Sequence, residues 1–149
     1  MPGASVRIAS TPERVWELVS DVTQMGRWSP ETTTAAWRDG DGPRVGARFT
    51  GKNKRKAGWS TTCTVTACEP GRTFGFSVGK GETTWAYEIE PIEGGCSVTE
   101  SFEVQKVPGA VGRLLTRMAV GVPWSEREAD LLQGIQQTLS RLKAAAEQP

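Results

Sequence analysis

The chain has 149 residues, a net charge of +1 from 18 basic and 17 acidic side chains, and 37% hydrophobic residues. That length fits one domain, residues 1–149, with a core large enough to need neither disulfides nor metals. It contains no histidine, which excludes Ser-His-Asp and Cys-His hydrolysis, HExxH zinc sites and iron centres of two histidines and a carboxylate. No metal or redox cofactor is expected, and the balanced charge gives no global pull toward nucleic acid or anionic lipid.

Three cysteines, Cys63, Cys68 and Cys96, are an odd number with no CxxC pair. They read as reduced thiols of a cytoplasmic protein. No apolar run approaches the ~20 residues of a membrane span, and the first ten residues lack the charged-then-apolar pattern of a signal peptide.

Val6 and Ile8 alternate about Arg7 as a short strand. Ser10 or Thr11 then caps a helix with Pro12 at its first position and Glu13 in its first turn. Val15, Leu18, Val19 and Val22 make its apolar stripe, and residues 21–28 form a second short helical piece that Ser29-Pro30 ends.

From there the period changes to two. Turn signals at Asp39-Gly40-Asp41-Gly42-Pro43, Ala57-Gly58, Pro70-Gly71, Gly79-Lys80-Gly81 and Gly94-Gly95 separate six strand-length segments. These cover residues 32–38, 47–54, 59–69, 73–78, 82–90 and 96–105. Such short connections predict an antiparallel meander. Its inward face reads Trp37, Phe49, Trp59, Cys63, Val65, Phe74, Phe76, Val78, Trp85, Tyr87, Ile89, Val98, Phe102 and Val104, against Thr, Ser and Glu outside.

One dry face needs a cover, and the C-terminus supplies helical stripes. Val111, Leu114, Leu115, Met118 and Val122 form the first, interrupted at Gly121-Val-Pro123 by a kink or by a hinge that would let residues 111–122 act as a lid. Ser125 and Glu128 then offer a capping box, with Trp124 and Ala129 placed as a staple. Leu131, Leu132, Ile135, Leu139 and Leu142 continue along a helix over residues 126–146, roughly 30 Å long at 1.5 Å per residue.

Three features bear on function. Six tryptophans are a heavy load, readable as plain core or as rigid walls for a flat, ring-containing ligand. Glu100 shares parity with Val98 and Phe102, so its carboxyl should point to the apolar side. There it pairs with a cation such as Arg38 or Arg48, or faces a wet cavity as a hydrogen-bonding group or general base, unless a bulge near Gly94-Gly95 turns it outward. Asn53 and Tyr87 are its candidate polar neighbours. Lys52-Asn-Lys-Arg-Lys56 is the only charge run and reads as solvated turn charge rather than a nucleic-acid patch.

This order resembles the START-like (Bet v 1-like, SRPBCC) helix-grip superfamily, in its bacterial polyketide cyclase/dehydrase and lipid-transport branch. The residues that carry the likeness are Ser10-Thr-Pro-Glu-Arg-Val-Trp-Glu-Leu-Val-Ser-Asp21, Trp28-Ser-Pro-Glu31, Gly46-Ala-Arg-Phe-Thr-Gly51, Glu69-Pro-Gly-Arg72, the stretch from Trp85 to Pro91, and Gly94-Gly-Cys-Ser-Val-Thr-Glu-Ser101. The resemblance implies an α+β helix-grip fold: a seven-stranded antiparallel sheet around a long C-terminal helix, with two short helices between the first two strands and an apolar cavity inside.

The leading expectation is binding or carriage of a hydrophobic small molecule, lipid, polyketide or other ring compound, by a monomer or homodimer. Its expected binding residues are Trp37, Phe49, Asn53, Trp59, Phe74, Phe76, Trp85, Tyr87, Glu100, Phe102, Leu115, Met118, Trp124 and Leu132. The rivals are an aromatase/cyclase-type enzyme using the same cavity, with Glu100 as its candidate acid–base group, and a protein-interaction or toxin–antitoxin module using the basic hairpin.

Overall fold

A computed structural model describes residues 1–38, 40 and 42–149. Strand β1 (Gly3–Ile8) leads to helix α1 (Pro12–Ser20) and a 3-10 turn over Val22–Arg27. Then follow β2 (Thr32–Trp37), β3 (Arg48–Lys54), β4 (Gly58–Glu69), β5 (Thr73–Val78), β6 (Thr83–Ile92) and β7 (Gly95–Val104). Helices α2 (Ala110–Val120) and α3 (Trp124–Ala146) close the chain.

All seven strands make one antiparallel sheet in the order β1-β7-β6-β5-β4-β3-β2. The expected meander and the helix-grip arrangement are therefore present, with strand ends shifted by a residue or two. Asp39 and Asp41, part of the expected turn after β2, lie outside the described residues. Register breaks between Thr32 and Thr34 and between Val65 and Ala67 add local twist, as bulges do, and help the sheet curve.

Local chemistry sets the helix ends. Thr11 caps α1, its hydroxyl accepting from the Arg14 N–H at 3.2 Å. Asp21 caps the next turn in the same way, accepting from Thr23 N–H at 3.1 Å. The Ser125–Glu128 capping box does not form. Pro123, fixed at φ −68°, already presets the entry, so α3 starts at Trp124 with no side-chain cap and leaves Ser125 and Glu128 exposed.

The core lies where α1 and α3 meet the inner sheet face. Val15, Val19 and Val22 bury against Ile8, Phe74, Ile89, Cys96 and Val98, and Ile135, Leu139 and Leu142 complete it from α3. Trp16 fastens α1 to β5 by donating its indole N–H to the Thr73 carbonyl at 2.7 Å.

Helix α2 departs from expectation. Val111, Leu114, Leu115 and Met118, read as part of the sheet's cover, are 57–71% exposed. Helical spacing places residues on one face but does not say what that face meets. Here α2 is held by its C-terminal end, where the Lys56 and Ala57 N–H groups both donate to the Ala119 carbonyl at 2.9 Å. Gly121, at φ +96°, ends the helix; a side chain there would be strained and would crowd Lys56.

Truncating fully buried Phe74 to Ala should cost about 3–5 kcal/mol. Leu114→Ala, on the exposed face of α2, should stay within about 0.5 kcal/mol of the parent. Urea unfolding of both variants checks the contrast, and a costly Leu114→Ala would show that α2 packs more tightly than described.

Candidate functional site

Between the inner face of β3–β7 and the first half of α3 lies a cavity of about 490 Å³, within the usual range for small-molecule sites. Strand alternation builds its floor: Phe49 and Asn53 from β3, Trp59 and Cys63 from β4, Phe76 from β5, Trp85 and Tyr87 from β6, and Glu100 from β7. Helix α2 leans over one side with Leu115, Thr116, Ala119 and Val120. Trp124, Leu131, Ile135 and Thr138 of α3 form the roof.

Of the expected site residues, Phe49, Asn53, Trp59, Phe76, Trp85, Tyr87, Glu100, Leu115 and Trp124 line this space. The others stand behind it or away from it. Trp37 meets Phe49 edge-on at 5.6 Å between ring centres, Phe74 lies beside Phe76 at 6.1 Å, and Phe102 lies under Trp85 at 5.2 Å. Leu132 packs against the core and Met118 faces outward.

Glu100 is inside. The β6–β7 register runs without a break from Thr83↔Val104 to Ile92↔Gly95, so no bulge turns it out, and it pairs across the strands with Tyr87. It is 6% exposed. Tyr87 is the polar side chain facing its carboxyl, and Oε1 is the one buried side-chain oxygen or nitrogen among the described residues without a partner. Arg38 and Arg48 are both exposed on the outer side. Burial therefore dominates and pushes the Glu100 carboxyl up to about 8, the Tyr87 hydrogen bond only partly opposing it. Tyr87 is raised well above its ordinary value by burial first and by Glu100 second. Burial likewise raises the Cys63 thiol to about 11.

A second polar feature was not anticipated. Arg55, read as solvated turn charge, points into the cavity wall and grips Asp130 with both guanidinium nitrogens at 2.9 and 3.2 Å, and Glu31 at 3.0 Å. Arg127 joins them, donating to Glu31 at 2.5 and 3.1 Å and to Asp130 at 2.6 Å. Two positive and two negative charges thus cancel in a lattice that ties α3 to the β3–β4 hairpin and the loop before β2. Burial alone would raise Asp130, but its bonds to Arg55 and Arg127 outweigh that and hold its carboxyl below the ordinary value. The Arg127–Asp130 spacing of three on a helix was the readable signal.

Asn53 is spoken for by the protein. Its carbonyl accepts from Thr32 at 2.7 Å, and its amide donates to Thr61 at 3.2 Å and to the Trp59 carbonyl at 3.4 Å. What remains for an occupant is apolar and aromatic wall, a neutralised charge lattice and one unsatisfied carboxyl oxygen.

Residues 3–147 match the family described as polyketide cyclase / dehydrase and lipid transport. The chain belongs to that family. Among solved structures it is similar to the polyketide-cyclase-like protein Cgl2372 of Corynebacterium glutamicum, with 33% identity, TM-score 0.66, and coverage of 98% of this chain and 90% of that one. It shares its fold with the di-domain aromatase/cyclase BexL of the BE-7585A biosynthetic pathway at 16% identity and TM-score 0.74, over 99% of this chain and 50% of that one. A third likeness of fold is to the Aha1 dimer of Colwellia psychrerythraea, at 16% identity and TM-score 0.64, over 97% and 94%. No curated protein matches the chain by sequence. Family membership supports hydrophobic-ligand binding or a cyclase role. Among the described residues, no helix is long and apolar enough to cross a membrane.

Two predictions follow from the charges. Between pH about 4.5 and about 8 the unfolded chain releases the Glu100 proton while the folded chain keeps it. Stability contributed by this group is full below that window and falls across it by as much as ~5 kcal/mol. Carboxyl carbon NMR should give a midpoint near 8 for Glu100, and Glu100→Gln should flatten the fall in unfolding free energy; a midpoint near 4.5 would contradict the burial. In the charge lattice, Arg127→Met should cost about 1.5–3 kcal/mol because it strips donors from two half-buried carboxylates. Lys54→Met, exposed on the same basic run, should change stability by under about 0.5 kcal/mol in the same denaturation series.

Proposed function

We propose that the protein binds or carries an apolar, ring-containing small molecule enclosed between the sheet and α3. The observation that carries this reading is the coincidence of an unfilled 490 Å³ space with three indole walls, Trp59, Trp85 and Trp124. Rigid aromatic surface binds flat molecules at small entropic cost, and affinity would come chiefly from burying the ligand's apolar area. Phe49 and Phe76, edge to face at 5.2 Å, add to the same surface.

A cyclase reading uses the same chamber. The Tyr87–Glu100 pair favours it, since a carboxyl kept protonated at neutral pH can give a proton to a carbonyl oxygen of a chain folded within the walls. The interaction-module reading loses support because Arg55 is engaged in ion pairs, leaving the hairpin less charge to offer a partner.

Protein isolated from its native host should carry an extractable apolar compound visible by mass spectrometry. Tryptophan emission should shift when naphthalene-type or sterol probes are added. Trp85→Ala should weaken such binding about tenfold or more, as loss of an aromatic contact does. Failure of every apolar probe to alter emission or melting temperature would remove the binding reading.

A further inference from the structure

Glu100 defines what the ligand must offer. Its carboxyl sits on the cavity floor between β1 and β6. The groups around it are few. Tyr87 faces it from β6 and Ala4 lies opposite it on β1; Ile135 and Thr138 of α3 line the same cavity, and the Thr138 hydroxyl is donated to the Gly134 carbonyl. Cys63 lines the same space as a thiol held protonated by burial. The remaining charged side chains of the cavity, Glu31, Arg55, Arg127 and Asp130, are bound to one another.

A carboxyl in such surroundings avoids ionisation, because an unpaired buried charge is far more costly than a neutral group. In its neutral form one oxygen accepts and the other carries a hydrogen. Tyr87 lies directly across from Glu100 on β6, and Oε1 is buried without a partner, so a hydroxyl hydrogen carried on Oε1 finds no acceptor among the described residues. A buried donor left unmade costs about 1–3 kcal/mol. We propose that uncharged Glu100 donates this hydrogen to a neutral oxygen of the ligand, so that the cavity selects apolar ring compounds bearing a ketone, quinone or similar carbonyl.

The inference rests on the cavity being a binding chamber and adds to it the class of ligand. Charged ligands fit poorly. A carboxylate would bring a charge that no free cation among the described cavity residues neutralises. An ammonium group would ionise Glu100 and pair with it, yet its other hydrogens would meet indole and phenyl walls rather than acceptors. One carbonyl oxygen matches the one orphaned donor.

Four probes of one skeleton test this by calorimetry: tetralin, 1-tetralone, 1-aminotetralin and tetralin-1-carboxylate. At pH 6.5 the ketone should bind roughly tenfold more tightly than the hydrocarbon, the worth of one good hydrogen bond, and both ions more weakly than the ketone. At pH 9.5, with Glu100 ionised, the ketone's advantage should vanish. Glu100→Gln, which keeps an N–H donor without a titrating proton, should hold the advantage at both pH values. Glu100→Leu should bring the ratio of ketone to hydrocarbon affinity near one, and circular dichroism verifies that both variants fold. Equal binding of all four probes to the parent protein would overturn the proposal, and so would tightest binding of 1-aminotetralin. If none of the four probes binds at either pH, the failure lies with the chamber rather than with Glu100, and both readings fall.

Discussion

One helix has to cover seven strands. Strands spaced about 4.8 Å apart make a sheet roughly 30 Å wide, whereas a helix with its side chains is about 10 Å across. Helix α3 packs mainly on β1 and β7, and α1 adds cover over β5 and β6. The inner side of β3, β4 and the near half of β6 is left without a full partner. Twist and bulges bring the sheet's far edge around but do not fill the gap. The sequence places large rigid rings there instead of small close-packing ones, so the gap persists as a chamber.

The chamber handles its charges in two opposite ways. Near the loop before β2, Arg55, Glu31, Arg127 and Asp130 cancel one another through short hydrogen bonds, which makes partial burial tolerable and staples three distant segments together. At the floor, Glu100 has no such company and keeps its proton instead. The first arrangement stabilises the wall. The second leaves a directional group facing an otherwise greasy space, the combination that lets apolar burial supply affinity and one polar contact supply orientation.

Much of this was legible in the sequence, and the rest failed for identifiable reasons. Period-two alternation gave the meander, and the parity of Glu100 with Val98 and Phe102 put its carboxyl inside. Thr11-Pro12 marked the first helix start, because a hydroxyl cap followed by proline is a local signal. The lattice around Arg55 was hidden, since its partners lie 24 and 75 residues away and a run of lysines and arginine looks the same whether it is solvated or paired. Helix α2 misled in the other direction. Its stripe has core-like spacing, yet the helix is anchored near Ala119 and turns Val111, Leu114 and Met118 to solvent. Alternation also could not separate the rings that border the space from those one layer behind, so Phe74 and Phe102 shared a face with Phe76 and Trp85 without touching the void.

The chamber itself is open to direct observation with xenon, which occupies apolar cavities without needing a specific contact. In crystals held under xenon, density should appear between α3 and the sheet, against Phe49, Phe76 and Trp85. A structure in which those side chains close the space, or in which α2 has collapsed into it and xenon finds no place, would contradict it.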